Sequence, residues 1–224
     1  MKAQVMSLIL TGRDYMTKNI FVLVVGILTV SSCAFIDYTK LPVVAKDLIV
    51  GKEDLEITRS IYDAYPYSFA KVKIGRDKSL IFVLSTINAN GEYTWISENY
   101  DRLITFDGKV IKFISSNEEI NFRYLKNSFS TQTNLENFDS ENIIELLSPK
   151  AIFMQDVTIN IKDQQSIMRF KERLNVRIIE EKIVTKELKW AFTNSYWMNN
   201  NSVIKSKQHL HPNLPQVVIE YYYK

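Results

Sequence analysis

The sequence predicts a mainly all-β protein, an antiparallel meander with a few short helices. Three observations carry this reading. Tyr and Phe number 12 each, and Val, Ile and Thr recur in runs, a bias toward pleated, half-buried segments. Several segments alternate apolar and polar residues, the period of a strand with one wet face. Parallel βαβ units and phosphate-binding glycine loops are both missing from the sequence.

From the N-terminus, Lys18 and Asn19 precede an apolar run, "IFVLVVGILTV", at 20–30. The run has the length of a signal-peptide core and is short for a bilayer span. Val30, Ser31 and Ser32 follow, then Cys33, the sole cysteine. A bulky aliphatic, two small residues and a cysteine resemble a bacterial lipobox. That resemblance implies diacylglycerol on the Cys33 thiol, cleavage before it and acylation of the new amino terminus. Small residues suit a peptidase that draws in extended backbone, and the thiol is the lipid acceptor. Ala34 stands where an aspartate would favour inner-membrane retention in enteric-type lipoproteins, so the expectation is export to the outer membrane. Several acyl chains make anchoring stable, at roughly 0.8 kcal/mol per buried CH₂. The expected organisation is a signal peptide at 1–32, with translation starting from Met16, a lipidated tether and short helix at 33–50, and a single antiparallel β domain at 51–224.

"VVAKDLIVG" at 43–51 reads as the short helix, with Gly51 as its stop. "LEITRSIYDAYPYSFAKVKIG" at 55–75 reads as extended, irregular around Pro66 and then a strand. "SLIFVLSTI", "EYTWIS", "DRLITF" and "VIKFIS" continue the meander to residue 115, and Asp107-Gly108 marks a hairpin turn. In "SENIIELLSPK", Ser140 is a plausible N-cap, and Ile143, Ile144 and Leu147 share a face, which predicts a second short helix before Pro149. "AIFMQDVTINI" is a strand. "RFKERLNVRIIEEKIV" reads as one long strand with Phe170, Leu174, Val176 and Ile178 on one face. "LKWAFTNSYWM", "NSVIKSKQHLH" and "QVVIEYYY" complete the set, with a turn at 199–201.

Chemistry is sparse. One cysteine excludes an intrachain disulfide and a Cys₄ or Cys₂His₂ zinc site. The net charge of +3 loses two with Lys2, Arg13, Lys18 and Asp14, and no basic cluster suggests nucleic acid. "HLH" at 209–211 on a strand would place two imidazoles on one face, with Glu220 a conceivable third ligand, but no carboxylate pattern marks a metal site. Nucleophile motifs are absent, and no cofactor or metal is expected. Glu118-Glu119 and Glu180-Glu181 are neighbours whose side chains point to opposite strand faces, and they read as surface charge. Trp95, Trp190, Tyr196 and Trp197 lie on strands. They either build the core or line a concave face that holds sugar rings or acyl chains. Tyr221 and Tyr223 fall on one face of the last strand and Tyr222 on the other.

The order of several segments resembles one family. "YPYSFAKVKIG" at 65–75 precedes "LIFVLS" at 80–85, and "YTWIS" at 93–97 precedes "LITFDGKVIKF" at 103–113. Near the end, "NSYWM" at 194–198 leads to "VIKSKQHLHPNLPQVVIEYYY" at 203–223. This succession is similar to the YjbF family, the group 4 capsule polysaccharide lipoproteins, over about residues 55–223, and is weakest at 116–165. The resemblance implies a large antiparallel meander curled into a half-barrel, like lipoprotein carriers. It also implies an outer-membrane lipoprotein on the periplasmic face, a non-enzymatic accessory to capsule or exopolysaccharide production or secretion. Its partners would be the membrane, through acyl chains on Cys33, and secretion proteins or glycan. Trp95, Asn194, Trp197 and Gln208 match the family pattern and are candidate ligand or partner contacts. A carrier of a hydrophobic or glycolipid ligand is the alternative, and an enzyme acting on glycans ranks last.

Overall fold

The computed structural model describes residues 54–131 and 137–224, and Gly51–Lys224 packs as one unit. Cys33, the apolar run before it and the helix expected at 43–51 lie outside the described residues. The described elements begin with a short helix, α1 (Arg59–Ala64), and run through β1 (Phe69–Ile74), β2 (Leu80–Ile87), β3 (Glu92–Ser97), β4 (Arg102–Phe106), β5 (Lys109–Ile114) and β6 (Phe122–Lys126). They continue with β7 (Phe138–Leu147), β8 (Lys150–Arg169), β9 (Glu172–Thr185), β10 (Trp190–Asn199), β11 (Ser202–Gln208) and β12 (Val217–Tyr222).

Each strand pairs antiparallel with its neighbour in sequence, so the expected meander is present. Its curl runs past a half-barrel to closure. β1 pairs with β12 from Phe69↔Tyr222 to Ile74↔Val217 and leaves no free edge among the described strands. The interior is filled. Trp95, Phe122, Ile144, Ile183, Tyr196 and Tyr221 are fully buried within one contiguous cluster. The open apolar concavity that a carrier needs is therefore occupied by side chains.

Three local expectations are corrected. Residues 59–64 form α1 rather than extended chain, because Thr58 caps the helix: its hydroxyl accepts from the Ile61 amide at 3.3 Å. The helix expected from Ser140 is strand β7, paired residue for residue with β8 from Phe138↔Ile159 to Leu147↔Lys150. There Asn142, Ile144 and Leu146 are buried, so the pleat and the ladder override the helical spacing. The long strand expected from Arg169 to Val184 is broken at Phe170 and Lys171. Both have left-handed backbone, φ 50° and 66°, and turn β8 into β9. Phe170 extended the apolar alternation for a different reason: its ring packs on Tyr62 and Tyr222, at 5.4 and 5.9 Å.

The β8–β9 hairpin is longer than the barrel wall needs. β10 pairs with β9 only from Thr185 back to Arg177, so the strands beyond form a two-stranded arm. Its tip lies against the outside of β12, where Arg169 Nη2 donates to the Tyr221 carbonyl at 2.6 Å. Phe69, Val176, Ile178, Ile204 and Tyr222 are buried yet separate from the interior cluster. The molecule thus has a main core inside the barrel and buried apolar residues outside it.

Candidate functional site

The antiparallel register aligns a row of outward side chains across five strands: Ile178 of β9, Trp197 of β10, Lys205 of β11, Glu220 of β12 and Lys71 of β1. Lys205 Nζ sits 3.4 Å from Glu220 and 5.8 Å from the Trp197 ring centroid. The arm covers part of this row and leaves a cleft. A cavity of about 190 Å³ lies between Ile167, Met168, Arg169 and Phe170 of the arm and Lys71, Lys205 and Glu220 of the wall. A second cavity, about 570 Å³, shares Glu56, Ile57, Met168 and Phe170 with the first and adds Arg59 and Lys171.

The charges in the cleft are unevenly matched. Lys71 lies 3.4 Å and Lys73 3.1 Å from Asp54, and Arg59 pairs with Asp63. Arg169 forms no ion pair with any carboxylate among the described residues. Its guanidinium lies 4.4 Å from the Tyr222 ring centroid, and burial lowers its pKa. The Tyr222 hydroxyl donates to Glu220 at 3.0 Å.

Asp54 ties the entering chain to this wall. Partial burial raises its pKa, but the hydrogen bond from Ser79 and the nearby Lys73 and Lys71 outweigh that and bring it to about 2. A carboxylate with a folded pKa below its unfolded value stabilises the fold above the unfolded pKa. That contribution is lost as pH falls through the folded value. Stability is therefore expected to decline between about pH 4 and pH 2, and Asp54→Asn to flatten that part of the profile. Urea midpoints across this range are the measurement, and an unchanged slope in the variant would disprove the role of Asp54.

The candidate contact residues do not converge on one surface. Trp197 is half-buried on the outer row beside Lys205. The other three point inward. Trp95 is fully buried, with its indole N–H donating to Thr105 Oγ1 at 2.9 Å. Gln208 reaches the β4–β5 turn: it accepts from the Val110 amide and donates to the Gly108 carbonyl, both at 3.0 Å. Gly108 has φ +78°, and a Cβ there would lie 2.4 Å from Val203, so the turn presses directly on β11. Asn194 donates to Glu181 at 3.1 Å and accepts from the His209 amide at 2.8 Å.

Sequence reasoning missed the centre of the interior. Glu181, read as surface charge, is fully buried and paired with equally buried Lys109. Tyr196 donates to the same carboxylate at 2.9 Å, and Lys109 Nζ sits 4.5 Å from the Tyr124 ring centroid. Burial lowers the Lys109 pKa despite Glu181 and raises those of Tyr124 and Tyr196. Glu181 lies on the odd-numbered face of β9, where Ile179, Ile183 and Thr185 flank it and are all buried. Glu180 does point outward, to Lys162 at 3.2 Å.

The histidines are not paired on a strand, since β11 ends at Gln208. His209 is hydrogen-bonded to Gln216 at 2.9 Å, while His211 Nδ1 accepts from the Asn213 amide at 3.1 Å. Among the described residues no group of three or more His, Cys, Asp or Glu side chains could hold a metal ion.

Comparison with known proteins gives three findings. No curated protein matches the chain. A solved structure, that of the hypothetical lipoprotein YmcC from Escherichia coli (K12), superposes with a TM-score of 0.63 at 13% identity, covering 87% of this chain and 98% of that one. At that identity the likeness concerns the fold. The family model described as "Group 4 capsule polysaccharide lipoprotein gfcB, YjbF" matches residues 44–221, nearly the whole barrel and the stretch that leads into it. The chain therefore belongs to the YjbF family of group 4 capsule polysaccharide lipoproteins.

Proposed function

We propose that this chain is a lipid-anchored outer-membrane protein, held on the periplasmic face through Cys33, that assists capsule or exopolysaccharide production or secretion without catalysing a reaction. The observation that carries the reading is the family match over 44–221, joined to the lipobox-like "VSSC" at 30–33. The filled barrel interior favours a binding surface on the outside over a carrier's internal cavity. Its work would then be contact with a secretion protein or with the glycan itself.

Two measurements test this together. Full-length protein and Cys33→Ala are expressed with radioactive palmitate, and the membranes are fractionated. Label on the wild type alone, in the outer-membrane fraction, is expected. Deleting the gene is expected to reduce surface polysaccharide, measured by amount and chain length. An unlabelled protein, or a deletion strain with normal capsule under inducing conditions, would overturn the proposal.

A further inference from the structure

The cleft beneath the β8–β9 arm has the features of a site for a polar, negatively charged ring. Its floor is the outer row Lys205, Glu220 and Lys71, which alternates hydrogen-bond donors and acceptors on three adjacent strands. Such a row can grip neighbouring hydroxyls, because an ammonium donates and a carboxylate accepts. The half-buried Trp197 stands at the Lys205 end of the row and offers an apolar indole surface beside these charges. The roof is the arm, with Ile167 and Met168 as apolar surface and Arg169 as a cation.

Arg169 is the decisive residue. Lys205 has Glu220, Lys71 has Asp54 and Arg59 has Asp63 as ion-pair partners, so the other cations around the cleft are largely neutralised at home. Arg169 has no carboxylate within ion-pair distance among the described residues, and Glu220 acts on it only from farther away. A guanidinium carries five N–H donors, and among the described residues the one hydrogen bond from this group goes to the Tyr221 carbonyl. Lys171, at the arm's turn and lining the adjoining cavity, likewise has no ion-pair partner among the described residues. A partly desolvated guanidinium with spare donors in a fixed fork is matched by a carboxylate.

We infer that the cleft between the arm and the row Lys205–Glu220–Lys71 binds a carboxylate-bearing sugar unit of a polysaccharide, with Arg169 holding the carboxylate. Lys205, Glu220 and Lys71 hold the ring hydroxyls, and Trp197 lies behind Lys205, outside the lining of the cavity. The two contiguous cavities allow the chain to continue past the bound unit toward Lys171. This inference rests on the proposed role in polysaccharide production and assigns that role a ligand and a site.

The test uses the purified full chain and isothermal titration with three probes: an oligosaccharide containing glucuronate, its neutral glucose counterpart, and inorganic phosphate. The expected result is binding of the glucuronate oligosaccharide, weakened by added salt, with the neutral sugar bound at least about tenfold more weakly. Arg169→Gln should weaken the acidic probe by at least about tenfold. Because Arg169 also holds the arm, Lys205→Gln serves as a second variant, and thermal unfolding confirms that both remain folded. Equal affinity for acidic and neutral probes, binding of phosphate in place of the sugar acid, or wild-type affinity in both folded variants would overturn the assignment. The capsule assay separates this failure from that of the general role. A deletion strain that loses capsule, with a protein that binds no acidic sugar, rejects the ligand and keeps the role. Binding that vanishes in Arg169→Gln, beside an unaffected deletion strain, keeps the ligand and rejects the role.

Discussion

Replacing Lys109 with methionine is expected to destabilise the protein by about 3–5 kcal/mol. The reason is the partner left behind. Glu181 is fully buried and would lose the ammonium that balances its charge. Tyr196 and Asn194 would still donate to it, which keeps the loss below that of a bare ion. Glu181→Gln alone should be destabilising for the mirror-image reason, since the Lys109 ammonium would then lie between aromatic rings without a counter-charge. The double variant Lys109→Met with Glu181→Gln should recover much of the loss, because a neutral pair has no buried charge to balance. Urea unfolding of the four proteins gives the coupling directly. Additive losses in the double variant would show that the two groups do not act as a pair.

The second large effect is expected at Trp95. Truncation to alanine should cost about 3–5 kcal/mol, the range for a large buried aromatic. The indole is fully buried, packs beside Tyr93 and Tyr221 with centroids at 6.1 and 5.6 Å, and gives its N–H to Thr105. Trp197→Ala removes the same side chain from the opposite face of the wall, where it is only half-buried, and should cost distinctly less. The contrast separates a tryptophan that builds the barrel from one that is available to a ligand. Comparable losses at both positions would erase the distinction.

Much of the barrel was legible because strand signals are local. β1 to β5 follow from alternation and from Asp107-Gly108, where two residues with φ 49° and 78° make the turn that the dipeptide announces. Other elements were illegible for a specific reason. Around Ile143 and Ile144 the apolar spacing suits a helix and a strand alike, and only the ladder with β8 decides. On β9 the apolar residues change face along the strand. Val176 and Ile178 are buried outside the main core and Ile179 and Ile183 within it, so a single phase could not reveal that Glu181 points inward. The cleft was hidden more deeply. Lys71 is far in sequence from Trp197, Lys205 and Glu220, and the four become neighbours only through the strand register.

By itself the sequence determined the all-β class, the order of most strands and the family, since these rest on residue type, period and succession along the chain. It also carries the cysteine on which the anchoring proposal depends. The tertiary structure alone decided that the sheet closes, that Lys109 and Glu181 meet inside it, and that the β8–β9 arm folds onto the outside of β12 through Arg169. Pairing between β1 and β12 joins the two ends of the described barrel, and local periodicity contains no information about which distant strands will share hydrogen bonds.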